Sequence, residues 1–140
     1  MPPILAPSLL VASLLAAAAT PARAERTDFR SPSGNIRCVV TDEGDRPFAE
    51  CSLDALDRSF TDAPEGCDGA WGDRFRVYAT GPGRVECHDG GAGETEARVL
   101  PYGVAVRLAG ITCASDRTGV TCTNADGGGF SVRRAEQSIF

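Results

Sequence analysis

The sequence predicts a single small all-β domain, an antiparallel sandwich or barrel stapled by three disulfides. Three observations carry that expectation. Short runs rich in β-branched residues recur at regular spacing, with turn residues between them. No internal repeat and no helix of convincing length interrupts them. The chain holds six cysteines, and folding adjacent runs into hairpins brings several of them opposite one another.

The 140 residues open on an apolar stretch, Ile4 to Ala19, followed by Thr20, Pro21 and the small-x-small site Ala22-Arg23-Ala24. That is the pattern of a signal peptide, although no Lys or Arg precedes Ile4. The run is interrupted by Pro7 and Ser8 and is short for a membrane span, which needs about 20 residues. Cleavage after Ala24 is therefore expected. The expected organisation is a signal peptide over 1–24 and one disulfide-stabilised domain over 25–140, with no stable membrane anchor after cleavage. No cysteine precedes Cys38, which excludes a lipid-modified cysteine at the cleavage site. An even cysteine count behind an export signal implies an oxidising compartment, periplasmic or extracellular.

From Glu25 to Phe29 the chain reads as a polar lead-in, and Ser31-Pro32-Ser33-Gly34 as a turn. Asn35 to Val40 is the first expected strand, with Ile36, Cys38 and Val40 on one face. Phe48 to Leu53 is the second, with Ala49, Cys51 and Leu53 inward. Folding the pair about Gly44–Asp45 sets Cys38 opposite Cys51. Asp54 to Phe60 suits one helical turn with Leu56 and Phe60 on one side. Arg74 to Thr80 alternates as a strand, Gly81-Pro82-Gly83 turns, and Arg84 to Cys87 returns, placing Cys87 opposite Val77.

Ala97 to Leu108 gives two apolar pieces around Pro101-Tyr102-Gly103, with Val104, Val106 and Leu108 alternating. Ile111 to Asn124 is the clearest hairpin: folded about Arg117–Thr118, it sets Cys113 opposite Cys122, and Gly119 supplies the unusual turn dihedrals. Directly opposed residues lie about 4.5 Å apart at Cα, close enough for a bridge. A zinc site would need a second close pair or histidines, and neither is present. Phe130 to Arg133 is a last strand after Gly127-Gly128-Gly129. The expected bridges are Cys38–Cys51 and Cys113–Cys122 by register, and Cys67–Cys87 by elimination. Six cysteines allow 15 connectivities, so this third pair rests on the other two.

Composition excludes some functions. The formal charge is −5, the basic residues are all arginine, and no basic cluster stands out in the sequence. Neither a nucleic-acid footprint nor an anionic-membrane patch is visible.

Phe29-Arg30-Ser31-Pro32-Ser33-Gly34-Asn35-Ile36-Arg37-Cys38, Leu100-Pro101-Tyr102-Gly103, Ile111-Thr112-Cys113, Gly119-Val120-Thr121-Cys122 and Gly127 to Arg133 together give a pattern that resembles a family of small secreted bacterial proteins of unknown function. The resemblance implies an exported, disulfide-bonded domain and no assigned activity.

Candidate chemistry is sparse. His88 is the one histidine, flanked by Glu86 and Asp89, and a His–carboxylate pair is acid–base machinery; a surface histidine at a hairpin end is the simpler reading. Asp89 to Glu94 and Asn124-Ala125-Asp126-Gly127 are oxygen-rich loops, but neither has the ordered ligand series of a calcium site. Arg74, Arg76 and Tyr78 share an outward strand face, and Arg and Tyr are enriched at interface hot spots. Ser31 to Asn35 reads as a turn that starts a strand, beside a bridge that would hold any binding loop rigid.

No catalytic, cofactor-binding or metal-binding residue is assigned. The favoured reading is a non-catalytic module for an unknown protein or cell-envelope component, with enzyme inhibitors as a subset. The alternatives are a structural envelope protein, or a small secreted hydrolase using carboxylates such as Asp89, Glu94 or Glu96.

Overall fold

The computed structural model describes residues 1–5, 12–91 and 97–140, and within these every regular element is a strand. In chain order they are β1 (Arg26–Arg30), β2 (Ile36–Thr41), β3 (Phe48–Leu53), β4 (Arg74–Tyr78), β5 (Arg84–Val85) and β6 (Arg98–Val99). Then come β7 (Ala105–Leu108), β8 (Ile111–Asp116), β9 (Gly119–Asn124), β10 (Gly129–Arg133) and β11 (Glu136–Ile139). Two sheets form, in the orders β5-β4-β3-β2-β1-β6 and β11-β10-β9-β8-β7. Strands β1 to β5 and β7 to β11 are antiparallel meanders of sequence neighbours, and among the described residues β6 alone departs from this, returning to run parallel beside β1. The sheets stack with β4 on β9 and β10, β3 on β8 and β2 on β7. The architecture is thus a sandwich, and one of its sheets is mixed rather than wholly antiparallel.

Strict alternation builds the interior. Ile36, Cys38 and Val40 face inward from β2, Ala49, Cys51 and Leu53 from β3, Phe75 and Val77 from β4. The second sheet answers with Ile111 and Cys113, Val120 and Cys122, and Phe130 and Val132. Phe75 bridges the layers, 6.3 Å from Phe130 and 5.8 Å from Phe60 between ring centroids. Such ring pairs add to the area they bury.

All three expected disulfides are present: Cys38–Cys51, Cys67–Cys87 and Cys113–Cys122. The two register-derived bridges join directly opposed residues, with Cα atoms 4.1 and 4.0 Å apart. Both lie in the core and face each other, with Cys51 Sγ 3.9 Å from Cys122 Sγ. Neither sulfur carries a proton, so this is a packing contact between two disulfides.

Four local expectations are corrected. Residues 25–29 are not a lead-in: β1 pairs along its whole length with β2 and buries Phe29. The tail forms β11, paired with β10. Residues 54–60 form no helical turn. They run irregularly, fastened by Asp57 N to Arg134 O and by Gln137, which accepts from Ser59 N and donates to Asp57 O. Finally, the β4–β5 register is Phe75↔Val85, so Cys87 lies past the paired residues, and Val77 has no such partner. The loop holding Cys67 reaches it through an isolated Ala70↔His88 bridge.

Contact, rather than dihedral freedom, requires glycine where the β4–β5 turn meets the loop before β10. A Cβ on Gly83 would stand 1.8 Å from Gly129 O, and one on Gly128 2.0 Å from Gly81 O. Asn124 closes the same corner: Nδ2 donates to Tyr78 O and Gly81 O, and Oδ1 accepts from the amides of Asp126 and Gly128.

Two outcomes follow for stability. The bridges close loops of 9 to 20 residues, and each contributes about 3 kcal/mol in the chain-entropy model. Three of them match a large share of the roughly 5–15 kcal/mol that holds a domain folded. Reductant should unfold the protein or lower its Tm by roughly 10 °C or more, and an unchanged melt would refute the bridges' role. Asn124→Ala strands two carbonyls and two amides, and should cost about 2–4 kcal/mol in denaturant unfolding.

Candidate interaction face

The outward sides of β3, β4 and β5 form one connected surface. Cross-strand pairing sets Phe48 opposite Tyr78, Glu50 opposite Arg76, and Arg76 opposite Arg84. The two carboxylates are each shared. Glu50 takes Arg76 Nε at 2.8 Å on one oxygen and Arg74 Nε at 3.6 Å on the other. Glu86 Oε1 lies 3.9 Å from both Arg76 and Arg84. Aromatic rings carry the guanidinium groups: Arg76 sits 4.0 Å above Phe48, and Arg46 sits 3.8 Å above Tyr78. Arg76 and Arg84 also approach Tyr78, at 5.8 and 5.6 Å.

Burial of Arg76 disfavours its charge, but the Tyr78 hydrogen bond and the charges of Glu50 and Glu86 outweigh that and raise its pKa. The cation therefore stays fixed at every physiological pH. Stacking restrains guanidinium planes while leaving their N–H edges available.

This face differs from its counterpart. Across the six-stranded sheet the outward positions carry Arg26, Arg30, Arg37, Arg74, Arg76 and Arg84 against Asp28, Glu50 and Glu86. Arginine exceeds carboxylate there, although the whole chain is acidic. The outward face of the five-stranded sheet is built of Thr112, Ala114, Thr121, Thr123, Ser131 and Ser138. Its charged positions balance, Arg107 and Arg133 against Asp116 and Glu136.

The other candidates are placed as follows. His88 is not a surface residue: its side chain is 9% exposed. Its partner is neither Glu86 nor Asp89 but Asp73, with Nε2 2.8 Å from Asp73 Oδ1. Nδ1 accepts the Gly90 amide at 3.0 Å, so Nε2 carries the proton donated to Asp73. The single lone pair a neutral imidazole offers is already used. Asp89 is exposed and accepts from Gly91 N, while Glu94 and Glu96 lie outside the described residues.

In the Asn124 loop the side-chain oxygens bind backbone amides, Asp126 reaching Gly81 N at 3.0 Å. Among the described residues no three His, Cys, Asp or Glu side chains gather as a metal site. Ser31 to Asn35 is a hairpin turn whose polar groups are likewise engaged: Ser31 Oγ accepts from Ile36 N, and Asn35 binds both N and O of Ala55. One feature went unnoticed in the sequence, an open groove lined by Arg58, Phe60 and Trp71, in which Arg58 donates to the Trp71 carbonyl.

A two-sheet β-sandwich with three disulfides, two of them packed together in its core, defines the class of protein. The family model described as "Family of unknown function (DUF6636)" matches residues 8–140, and the chain belongs to that family. Comparison with curated proteins and with solved structures gave no match. Membership agrees with the unknown-function family that the motifs resembled.

The His88–Asp73 pair yields a prediction of its own. His88→Ala should leave the Gly90 amide and Asp73 without their partner. Stability should fall by about 1–2 kcal/mol, with faster hydrogen exchange at Gly90. An unaltered exchange rate would show that the histidine does not hold this loop.

Proposed function

We propose that the protein is an exported, non-catalytic binding module, and that the outward face of β3, β4 and β5 contacts its partner, a protein or cell-envelope component. The observation that carries this reading is the arginine–aromatic network of that face, charged oppositely to the chain as a whole. Charged surfaces of this kind steer association and set specificity, and stacked Arg and Tyr are the side chains that dominate interface energetics. Three intramolecular disulfides suit an oxidising environment outside the cytoplasm. The engagement of both His88 nitrogens supports a module without acid–base chemistry.

A second reading, a structural envelope protein, draws on the exposed Val99, Tyr102 and Val104 of the segment that crosses from β6 to β7. A hydrolase using Asp89, Glu94 or Glu96 is the third reading; the Asp89 carboxylate accepts the Gly91 amide of its own loop.

Affinity capture tests the first reading. The oxidised protein, offered envelope and medium fractions, should retain a partner that the reduced, alkylated protein does not. Arg84→Glu should weaken capture several-fold, more at low salt than at high salt. Arg107→Glu on the opposite sheet should leave it unchanged. Equal loss with both substitutions, or capture by the unfolded form, would refute the assignment of this face.

A further inference from the structure

Charge is not evenly settled within the arginine–aromatic network. Four arginines, Arg46, Arg74, Arg76 and Arg84, stand in this network against two carboxylates, Glu50 and Glu86, and three of them pair with those carboxylates: Arg74 and Arg76 with Glu50, Arg76 and Arg84 with Glu86. Arg74 and Arg76 take both oxygens of Glu50. Arg84 has only a 3.9 Å approach to Glu86, on the oxygen that Arg76 also approaches, and its side chain is 55% exposed. Arg46 is exposed and makes no ion pair or hydrogen bond among the described residues; its contact is the face of Tyr78, at 3.8 Å.

The unneutralised charge therefore resides on Arg46 and Arg84, and both guanidinium groups rest against the same ring. Their Cζ atoms lie 3.8 and 5.6 Å from its centroid, so they are no more than about 9 Å apart. Two like charges gathered on one aromatic ring repel each other, and an anion between them removes the repulsion.

We propose that Arg46 and Arg84, held by Tyr78, form a binding site for a phosphate group. A carboxylate occupies one guanidinium fork, whereas a tetrahedral phosphate presents enough oxygens for two. The ring restrains both side chains beforehand, which lowers the entropy lost when the anion binds. This site deepens the binding-module reading and rests on it for its biological use, but phosphate binding itself is independent of any protein partner.

The test is a titration of nitrogen-labelled protein with sodium phosphate, then pyrophosphate, at constant ionic strength, following Tyr78 and the arginine Nε–H resonances. Saturable shifts at Arg46, Arg84 and Tyr78 are expected. Arg46→Gln and Arg84→Gln should each weaken binding about tenfold, with an unchanged Tm, while Arg107→Gln binds as the unaltered protein does. Absence of saturable shifts, or equal weakening by Arg107→Gln, would overturn the site.

Vesicles of phosphatidylglycerol in phosphatidylcholine separate the sources of phosphate. Retention on them that the double variant loses assigns the group to a lipid headgroup. Phosphate binding without vesicle retention assigns it to a soluble or polymer-borne phosphate. Partner capture surviving in a double variant that no longer binds phosphate would keep the phosphate site but separate it from the surface that docks the partner. Phosphate binding with no captured partner would keep the site and remove the binding module.

Discussion

The contact between the two core disulfides is the constraint on which the rest of the sandwich depends. Each bridge fixes one residue pair in one hairpin. In a strand, a slip of a single residue would turn the whole inward set to solvent. Fixing Cys38 against Cys51 therefore also fixes Ile36, Val40, Ala49 and Leu53 as inward residues. The same holds for Cys113 and Cys122 with Ile111 and Val120. Because Cys51 Sγ touches Cys122 Sγ, the two registers are also seated against each other. Phe75 and Phe130 then complete a core that has few other large side chains.

The two faces of the molecule divide the polar work. The five-stranded sheet turns small hydroxyl side chains outward and balances its charges. The six-stranded sheet concentrates arginine, and uses Phe48 and Tyr78 as platforms rather than as core. An aromatic ring on the solvent side of a sheet usually represents lost burial; here guanidinium groups cover both rings. The acidity of the chain lies mainly in its loops, so the overall charge conceals a surface of the opposite sign.

How much of this could be read from the sequence depended on whether a feature was local. The hairpins of Cys38–Cys51 and Cys113–Cys122 were legible because their turns are symmetric and their strands alternate cleanly. Strand β1 was hidden because its outward residues, Arg26, Asp28 and Arg30, are charged and Phe29 alone is large and buried. Strand β11 was hidden because its one fully buried residue is Gln137, held by hydrogen bonds, and Ile139 alone adds apolar contact on that face.

The β4–β5 register was misread because tertiary contacts set it: Gly81 N binds Asp126, and Gly83 N binds Phe140 O. Of the interaction face, alternation revealed Arg74, Arg76 and Tyr78. Arg46, Phe48, Glu50 and Arg84 join them only through strand pairing and loop return. The partner of His88 was invisible for the same reason, since Asp73 reaches it across a bridge between two loops.

The meander order of both sheets also bears on how the chain acquires its structure. The two core bridges span 13 and 9 residues, and each lies within a single hairpin. Closing such short loops costs little entropy, and contacts this close in sequence favour rapid folding. Each core bridge can form within its own hairpin before the sheets meet. The chain can therefore be oxidised one hairpin at a time, with stacking of the two sheets as the later step that buries the sulfurs.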